Sequence, residues 1–150
     1  MHPADQQILD NIAEYGWHVT LVPDEPSFGY TIGIHKTFGK PELFICGLIP
    51  DDIHYCCNQY GQDIREGKVY RESDSVHHWF GDGQVQMVFL DVHDGWKPFY
   101  LGKLVDLMGE PSVPVLQGIW SDDKGLFPPM EGFDPALAGK QFFLNGAPEY

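Results

Sequence analysis

Hydrophobic residues recur at helical spacing in three segments of the chain. Residues 5–15 place apolar side chains on one face and are followed by Gly16, a residue type that commonly ends helices. Residues 50–66 begin with Pro-Asp-Asp, which suits a helix start, and continue with apolar residues three and four positions apart. Residues 98–108 show the same spacing more briefly. The pattern predicts two or three amphipathic helices.

Short apolar or alternating segments are bounded by turns rich in Pro and Gly, which is typical of strands. The segment 42–48 is apolar on both faces, which favours a central strand. Residues 35–40 and 68–84 are interpreted as loops, and residues 121–150 as coil that wraps the body. The predicted strands are residues 17–22, 28–34, 42–48, 85–92 and 113–120.

These elements predict one α+β domain over residues 1–150. We expect a curved, mainly antiparallel sheet of about five strands, with two or three helices packed outside it. Closure of the sheet into a barrel stays open from the sequence. The 150 residues are 43% hydrophobic and 21% charged, which is the composition of an ordered chain with its own core rather than of a disordered one.

The chain is strongly acidic, with 22 Asp and Glu residues against 9 Lys and Arg residues and a formal net charge of −13. Nucleic acids and anionic membranes attract clustered basic residues, so neither is an expected partner. A basic partner protein remains compatible with this charge. The sequence starts with neither a basic leader nor an apolar stretch, and it contains no membrane-spanning apolar run. We therefore expect a soluble cytoplasmic protein.

The cysteines and histidines do not follow the spacing of a metal or redox motif. Cys56 and Cys57 are adjacent, and Cys46 leaves the count odd. The seven histidines include no H-x-x-x-H or H-E-x-x-H pair. We therefore expect no disulfide, no structural metal and no bound cofactor, and we interpret the four tryptophans as core residues.

Six polar residues stand at or near the ends of predicted strands. A phenol, an imidazole, carboxylates and an amide could converge there on one pocket rim, as in many ligand-binding and acid–base sites. Tyr30, His35 and Glu42 are the catalytic candidates, with His35 or Glu42 as the acid–base group. The alternative is that these groups satisfy hydrogen bonds within the fold. The six residues are Tyr30, Thr31, His35, Glu42, Gln117 and Asp122.

Several of these residues belong to longer motifs. The chain reads YTIGIHKTFGKPELFICGL at residues 30–48 and PVLQGIWSDDKGLFPP at residues 114–129. In this order the motifs resemble the bacterial family of domain of unknown function 4262, and the resemblance covers nearly the whole chain. Three positions depart from the family pattern, since Lys40 replaces a histidine, Ser121 a proline and Pro129 a tryptophan. The resemblance implies membership of the family and no particular activity.

Two classes of function remain open from the sequence. The first is a protein whose strand-end pocket binds a small polar molecule, with or without catalysis. The second is an acidic interaction protein of the immunity-protein or antitoxin type, which would cover a basic partner with exposed acids such as Asp51, Asp52 and Asp74. We place the first ahead of the second, because an occluding face does not need a glycine-rich strand with His, Glu and Gln residues nearby.

Overall fold

The structure is a computed structural model that describes residues 2–77, 79, 84–109 and 112–148. Part of the predicted polar loop, residues 80–83, therefore lies outside the described residues. Within the described residues, the chain forms a six-stranded mixed sheet and five α-helices. The predicted α+β class is confirmed.

The long helices form where the apolar spacing predicts them. The helices are α1 (Pro3–Tyr15), α2 (Ile34–Phe38), α3 (Pro50–Arg65), α4 (Lys97–Tyr100) and α5 (Gly102–Met108). Gly16 ends α1 with a φ of 99°, which glycine adopts without strain. The segment predicted as one helix over residues 98–108 is divided between α4 and α5, because Leu101 leaves helical geometry with φ −118° and ψ 42°. None of the described helices is long and apolar enough to cross a membrane.

The sheet is open and has two edges. Its strands are β1 (His18–Val22), β2 (Phe28–Ile32), β3 (Glu42–Cys46), β4 (Ser75–Val76), β5 (Met87–Asp91) and β6 (Val115–Trp120). The strand order is β1-β2-β3-β6-β5-β4. The pairing of β3 with β6 is parallel, and the other pairings in the described sheet are antiparallel. The mainly antiparallel sheet is thus confirmed, and closure into a barrel is not found.

The expected numbers of strands and helices were too low, because two short elements carry no clear pattern and the segment 98–108 forms two helices instead of one. Strand β4 has two residues, which is too few for alternation to be visible. Helix α2 lies in the segment predicted as a loop, and its five residues are too few to show a helical repeat. A carboxylate from β3 fixes its N-terminus, as described below, and this contact is invisible in the local sequence.

Apolar clusters cover both faces of the sheet, which explains why residues 43–48 carry apolar side chains on both faces of the strand. Leu43 and Ile45 of β3 belong to a cluster with the apolar face of α3. Phe44 and Cys46 belong to a second cluster, which includes residues of α1 and α5. Because β3 lies between β2 and β6, its predicted central position is confirmed.

Candidate functional site

Glu42, at the start of β3, is fully buried and caps the N-terminus of α2. Its Oε1 accepts hydrogen bonds from Thr31 Oγ1 (2.8 Å) and from the Ile34 N–H (3.0 Å). Its Oε2 accepts hydrogen bonds from the N–H groups of Gly33 (3.0 Å) and His35 (3.1 Å). The N–H groups at a helix start lack partners within the helix, and here a carboxylate from a neighbouring strand supplies them.

Two effects act on the pKa of Glu42 in opposite directions. Burial raises the pKa to about 7, although the hydrogen bonds from Thr31 and from the α2 backbone lower it. His35 gives its backbone N–H to this carboxylate, while its Nδ1 is buried without a hydrogen-bond partner among the described residues. The structure thus brings three of the six predicted residues together, with the carboxylate directed at donors within the protein.

Tyr30 and Gln117 lie in one row across the sheet, on either side of Phe44. Burial raises the pKa of Tyr30 to about 12, although the backbone of Lys103 and Leu104, at the start of α5, lowers it. The Gln117 amide holds the C-terminal segment: Nε2 donates to the Phe142 carbonyl (2.5 Å), and Oε1 accepts from the Leu144 N–H (2.9 Å). The polar groups of Gln117 are therefore used within the fold.

Asp122 follows β6, and its carboxylate organises a loop. Its Oδ1 accepts from the N–H groups of Lys124 and Leu126 (both 2.9 Å), and its Oδ2 accepts from the Asp134 N–H (3.0 Å). Burial raises the pKa of Asp122, but the backbone hydrogen bonds outweigh it and hold the pKa below its usual value. Asp122 lines a surface cavity with Lys124 and Asp134, and none of the other five predicted residues lines it.

We expect Asp122→Asn to change the acid stability of the protein. Because the folded pKa is depressed, the carboxylate stabilises the fold above its ordinary value of 3.8 and loses this effect as pH falls through the folded value. Asparagine does not titrate. The wild-type urea midpoint should therefore exceed that of the variant at about pH 6 and approach it below about pH 3. A difference that stays constant over this range would contradict the role assigned to Asp122.

Ligand binding by the six predicted residues stays a prediction. Thr31, His35 and Glu42 meet at the start of α2, whereas Gln117 and Asp122 bond to two different segments of backbone and Tyr30 lies buried beside α5. These contacts match the alternative in which the polar groups satisfy hydrogen bonds within the fold.

A larger polar cavity, of about 460 Å³, lies between α1, β1 and α3, and we call it the α1–α3 cleft. Its volume is in the range of small-molecule sites. Four of its residues come from α3 at intervals of four, four and three, so they share one face of that helix. The lining residues are Asn11, Tyr15, Trp17, His18, Val19, His54, Asn58, Gln62 and Arg65.

Trp17 is held in the cleft from two sides. Its indole packs on Gly61 of α3, where a Cβ atom would lie 2.4 Å from the ring. The Arg65 guanidinium lies over the indole, 4.8 Å from the ring centroid, and 5.9 Å from the centroid of Phe38. Only glycine at position 61 permits this close approach, which fixes the indole, and Arg65, although exposed, is anchored over it by its hydrogen bond to the Tyr15 carbonyl.

Hydrogen bonds to two asparagines set the tautomers of the cleft histidines. The Trp17 Nε1–H donates to Asn58 Oδ1 (2.9 Å), which directs the Asn58 amino group toward His54 Nδ1 (3.4 Å). An amide nitrogen only donates, so His54 Nδ1 accepts and the ring proton is assigned to Nε2. Asn11 Nδ2 lies 2.9 Å from His18 Nδ1, and with the Asn11 amide in this orientation the proton of neutral His18 is also assigned to Nε2. Each ring thus keeps an Nε2–H donor.

The described lining of the cleft contains no Asp or Glu residue. Arg65 forms no ion pair with a described carboxylate; it donates to the Tyr15 carbonyl and to Gln62 Oε1 (3.3 Å). These bonds use two of its five N–H donors. Burial lowers the pKa of His18, and the nearby His54 lowers it further, so His18 is a neutral donor near pH 7. The cleft is therefore rich in hydrogen-bond donors and carries positive charge.

Helix α2 connects the Glu42 cap to this cleft. Thr37 Oγ1 donates to the Gly16 carbonyl (2.6 Å), directly before the tryptophan. The Phe38 ring lies 6.4 Å from the Trp17 ring, centroid to centroid. By fixing α2, Glu42 thus supports the residues that hold Trp17 and the guanidinium in place. Of the six predicted residues, Thr31, His35 and Glu42 are thus connected to the cleft through α2.

The cleft was not predicted from the sequence, although a sign of it is present. His54, Asn58 and Arg65 recur at helical spacing opposite the apolar face of α3. Polar residues at this spacing are typical of any solvent-exposed helix face, so they do not by themselves indicate a cavity. Only the position of α1 and β1 beside that face turns it into a cavity, and this position follows from tertiary packing.

The described residues contain no group of three or more His, Cys, Asp or Glu side chains that could hold a metal ion. Cys46, Cys56 and Cys57 are buried. Burial raises the pKa of each thiol, that of Cys46 to about 11. Since the thiolate is the reactive form, these cysteines are inert in this setting.

Comparison with known proteins places the chain in a family. The chain matches a family model described as a domain of unknown function (DUF4262) over residues 11–134. These residues include every residue that lines the α1–α3 cleft, together with the Glu42 cap. No curated protein and no solved structure matches the chain. Since the match covers most of its length, the chain belongs to the DUF4262 family.

Proposed function

We propose that this protein binds a small oxyanion, a carboxylate or a phosphate, in the α1–α3 cleft. The observation that carries the proposal is a cavity of about 460 Å³ lined by Arg65, His18 and His54, with no described carboxylate, in a chain of net charge −13. A chain with this negative net charge repels anions on average. The overall charge therefore does not explain a cavity that is rich in hydrogen-bond donors. Small-molecule binding is also the function class that the sequence favours, but the proposed site is the α1–α3 cleft and not the six strand-end residues.

The fixed position of Arg65 suits it to recognise an oxyanion. A guanidinium pairs two N–H groups with two oxygens of a carboxylate or phosphate. Stacking on Trp17 and Phe38 orients the group before the ligand arrives, which reduces the entropy lost on binding. The Nε2–H groups of His18 and His54 supply further donors. Burial lowers the pKa of His18, and a bound anion favours its imidazolium form, so affinity should rise as pH falls through the pKa of His18.

The proposal is tested by calorimetric titration at low ionic strength with acetate, succinate, citrate and inorganic phosphate. We expect saturable binding of at least one anion, and a loss of at least about tenfold in affinity for Arg65→Gln. His54→Ala changes an exposed side chain, so it should fold normally and lose affinity several-fold. Arg71→Gln, an exposed arginine outside the cleft, is the matched control and should bind as the wild type does.

Two outcomes would overturn the proposal. One is that none of the four anions binds, and the other is that Arg65→Gln and His54→Ala bind as tightly as the wild type. Recovery of a basic protein in equal amount with the wild type, and its loss with Asp51→Lys and Asp52→Lys, would favour occlusion of a partner instead. These two acids are exposed in the first turn of α3, where acids also stabilise a helix, so the fold explains them without a partner.

A further inference from the structure

A second cavity, of about 370 Å³, lies where the turn between β1 and β2 meets α4 and the C-terminal segment. Its described lining residues are distinct from those of the α1–α3 cleft. Three aromatic rings and two carboxylates define it, and we call it the aromatic groove. These residues are Asp24, Glu25, Phe28, Tyr100 and Phe142.

The three rings of the groove form a corner. Tyr100 and Phe142 are stacked, with centroids 4.9 Å apart and 30° between their planes. Phe28 stands nearly perpendicular to both, 5.5 Å from Tyr100 at 83° and 6.4 Å from Phe142 at 81°. All three side chains are half-buried, so part of each ring remains accessible. Phe44 packs against all three rings from within the fold, and the accessible part of each ring offers a cation an aromatic surface in the groove.

The two carboxylates of the groove lack cationic neighbours. Asp24 and Glu25 are exposed in the turn, and neither forms an ion pair with a described residue. The described lining contains no Lys, Arg or His. A negative potential next to aromatic faces attracts a positive charge that also carries apolar surface, and the net charge of −13 adds to this attraction at longer range.

We propose that the aromatic groove binds a small organic cation of the alkylammonium or quaternary ammonium class. The apolar substituents of the cation contact the rings of Phe28, Tyr100 and Phe142, and Asp24 and Glu25 balance its charge. A neutral molecule of the same shape gains only the apolar contact, and a hydrated inorganic cation gains only the charge. Both features together select an organic cation.

The test is a ¹H NMR titration with tetramethylammonium chloride. Methyl protons bound over aromatic faces shift upfield, so the direction of the shift reports the site as well as the affinity. We expect saturable binding and at least about tenfold weaker binding of tert-butanol, the neutral probe of similar shape. Tyr100→Leu should weaken cation binding about tenfold. The double variant Asp24→Asn, Glu25→Gln should weaken it several-fold and reduce its salt dependence.

Matched controls separate these effects from general changes in the protein. Phe99→Leu removes a neighbouring exposed ring outside the groove lining, and Asp10→Asn with Glu14→Gln removes two exposed acids of α1. Both should bind the cation as the wild type does. Equal binding of tert-butanol, no upfield shift with the wild type, or unchanged binding in both the Tyr100 variant and the carboxylate double variant would overturn the proposal. The carboxylate variants change exposed turn residues, so they test the site even if Tyr100→Leu fails to fold.

Discussion

Glu42→Gln is expected to lower the free energy of unfolding by about 3 kcal/mol at about pH 5. Each oxygen of the Glu42 carboxyl group accepts two hydrogen bonds, from Thr31, Ile34, Gly33 and His35 in total. At about pH 5, below its folded pKa of about 7, Glu42 is a carboxylic acid whose hydroxyl oxygen still accepts hydrogen bonds, whereas glutamine replaces that oxygen with an amino group, which only donates. That amino group would face two donors in a fully buried position, and α2 would lose part of its cap. Urea denaturation followed by circular dichroism measures the change.

The control for this variant is Glu14→Gln, at an exposed position of α1, which should alter the free energy of unfolding by less than about 0.5 kcal/mol. The pH dependence has a defined sign. Because the folded pKa of about 7 exceeds the ordinary value of 4.5, the stabilising contribution of Glu42 is complete below pH 4.5 and is lost as pH rises through about 7. The advantage of the wild type over the variant should therefore narrow between about pH 5 and pH 8. If the difference in stability widens instead, the hydrogen bonds lower the pKa of Glu42 more than burial raises it.

Gly61→Ala is expected to destabilise the protein by about 2 kcal/mol or more, against the usual trend for a helix interior. Alanine is ordinarily favoured over glycine there by about 1 kcal/mol. At position 61, however, the new Cβ atom would lie 2.4 Å from the Trp17 indole. The ring would have to leave its packed position to make room, which costs stability. Urea denaturation and tryptophan fluorescence measure the stability and the displacement of the ring.

Gly102→Ala is the matched control, because no atom lies within 4 Å of a Cβ atom built at that position of α5. It should leave stability unchanged or raise it slightly. Displacement of Trp17 also breaks the hydrogen bond to Asn58 that orients His54. Gly61→Ala should therefore weaken anion binding even under conditions where the variant is fully folded. A variant as stable as the wild type, with unchanged fluorescence, would contradict the packing described for Trp17.

The long elements of this fold were predictable because their patterns are local. Helix α3 has its apolar face and its Pro-Asp-Asp start within one segment, and β3 shows its central position by being apolar on both faces. Short elements were not predictable in this way. Helix α2 depends on a carboxylate eight residues after its first residue, and β4 depends on its pairing with β5. Both are stabilised by contacts outside their own sequence.

The candidate site shows the same division between local and tertiary information. The sequence marks Thr31, His35 and Glu42 as unusual polar residues near strand ends, and the structure brings them together at one helix start. The sequence does not show that the polar face of α3 is opposed by α1 and by His18. This opposition arises because α1 and α3 both pack next to β1, a tertiary arrangement that residue spacing does not encode.

The Nε2–H groups of His18 and His54 are the donors proposed to bind an oxyanion in the α1–α3 cleft. The decisive measurement is the two-bond ¹H–¹⁵N NMR spectrum of the neutral imidazoles, recorded with and without the tightest of the four anions. We expect unprotonated Nδ1 and protonated Nε2 in His18 and His54, and a shift of both Nε2 resonances when the anion is added. His93, which accepts at Nδ1 from the Gly95 N–H and lies outside the cleft lining, should not respond. A neutral ring with its proton on Nδ1 in either cleft histidine of the free protein, or Nε2 resonances that stay fixed at saturating anion, would contradict this assignment.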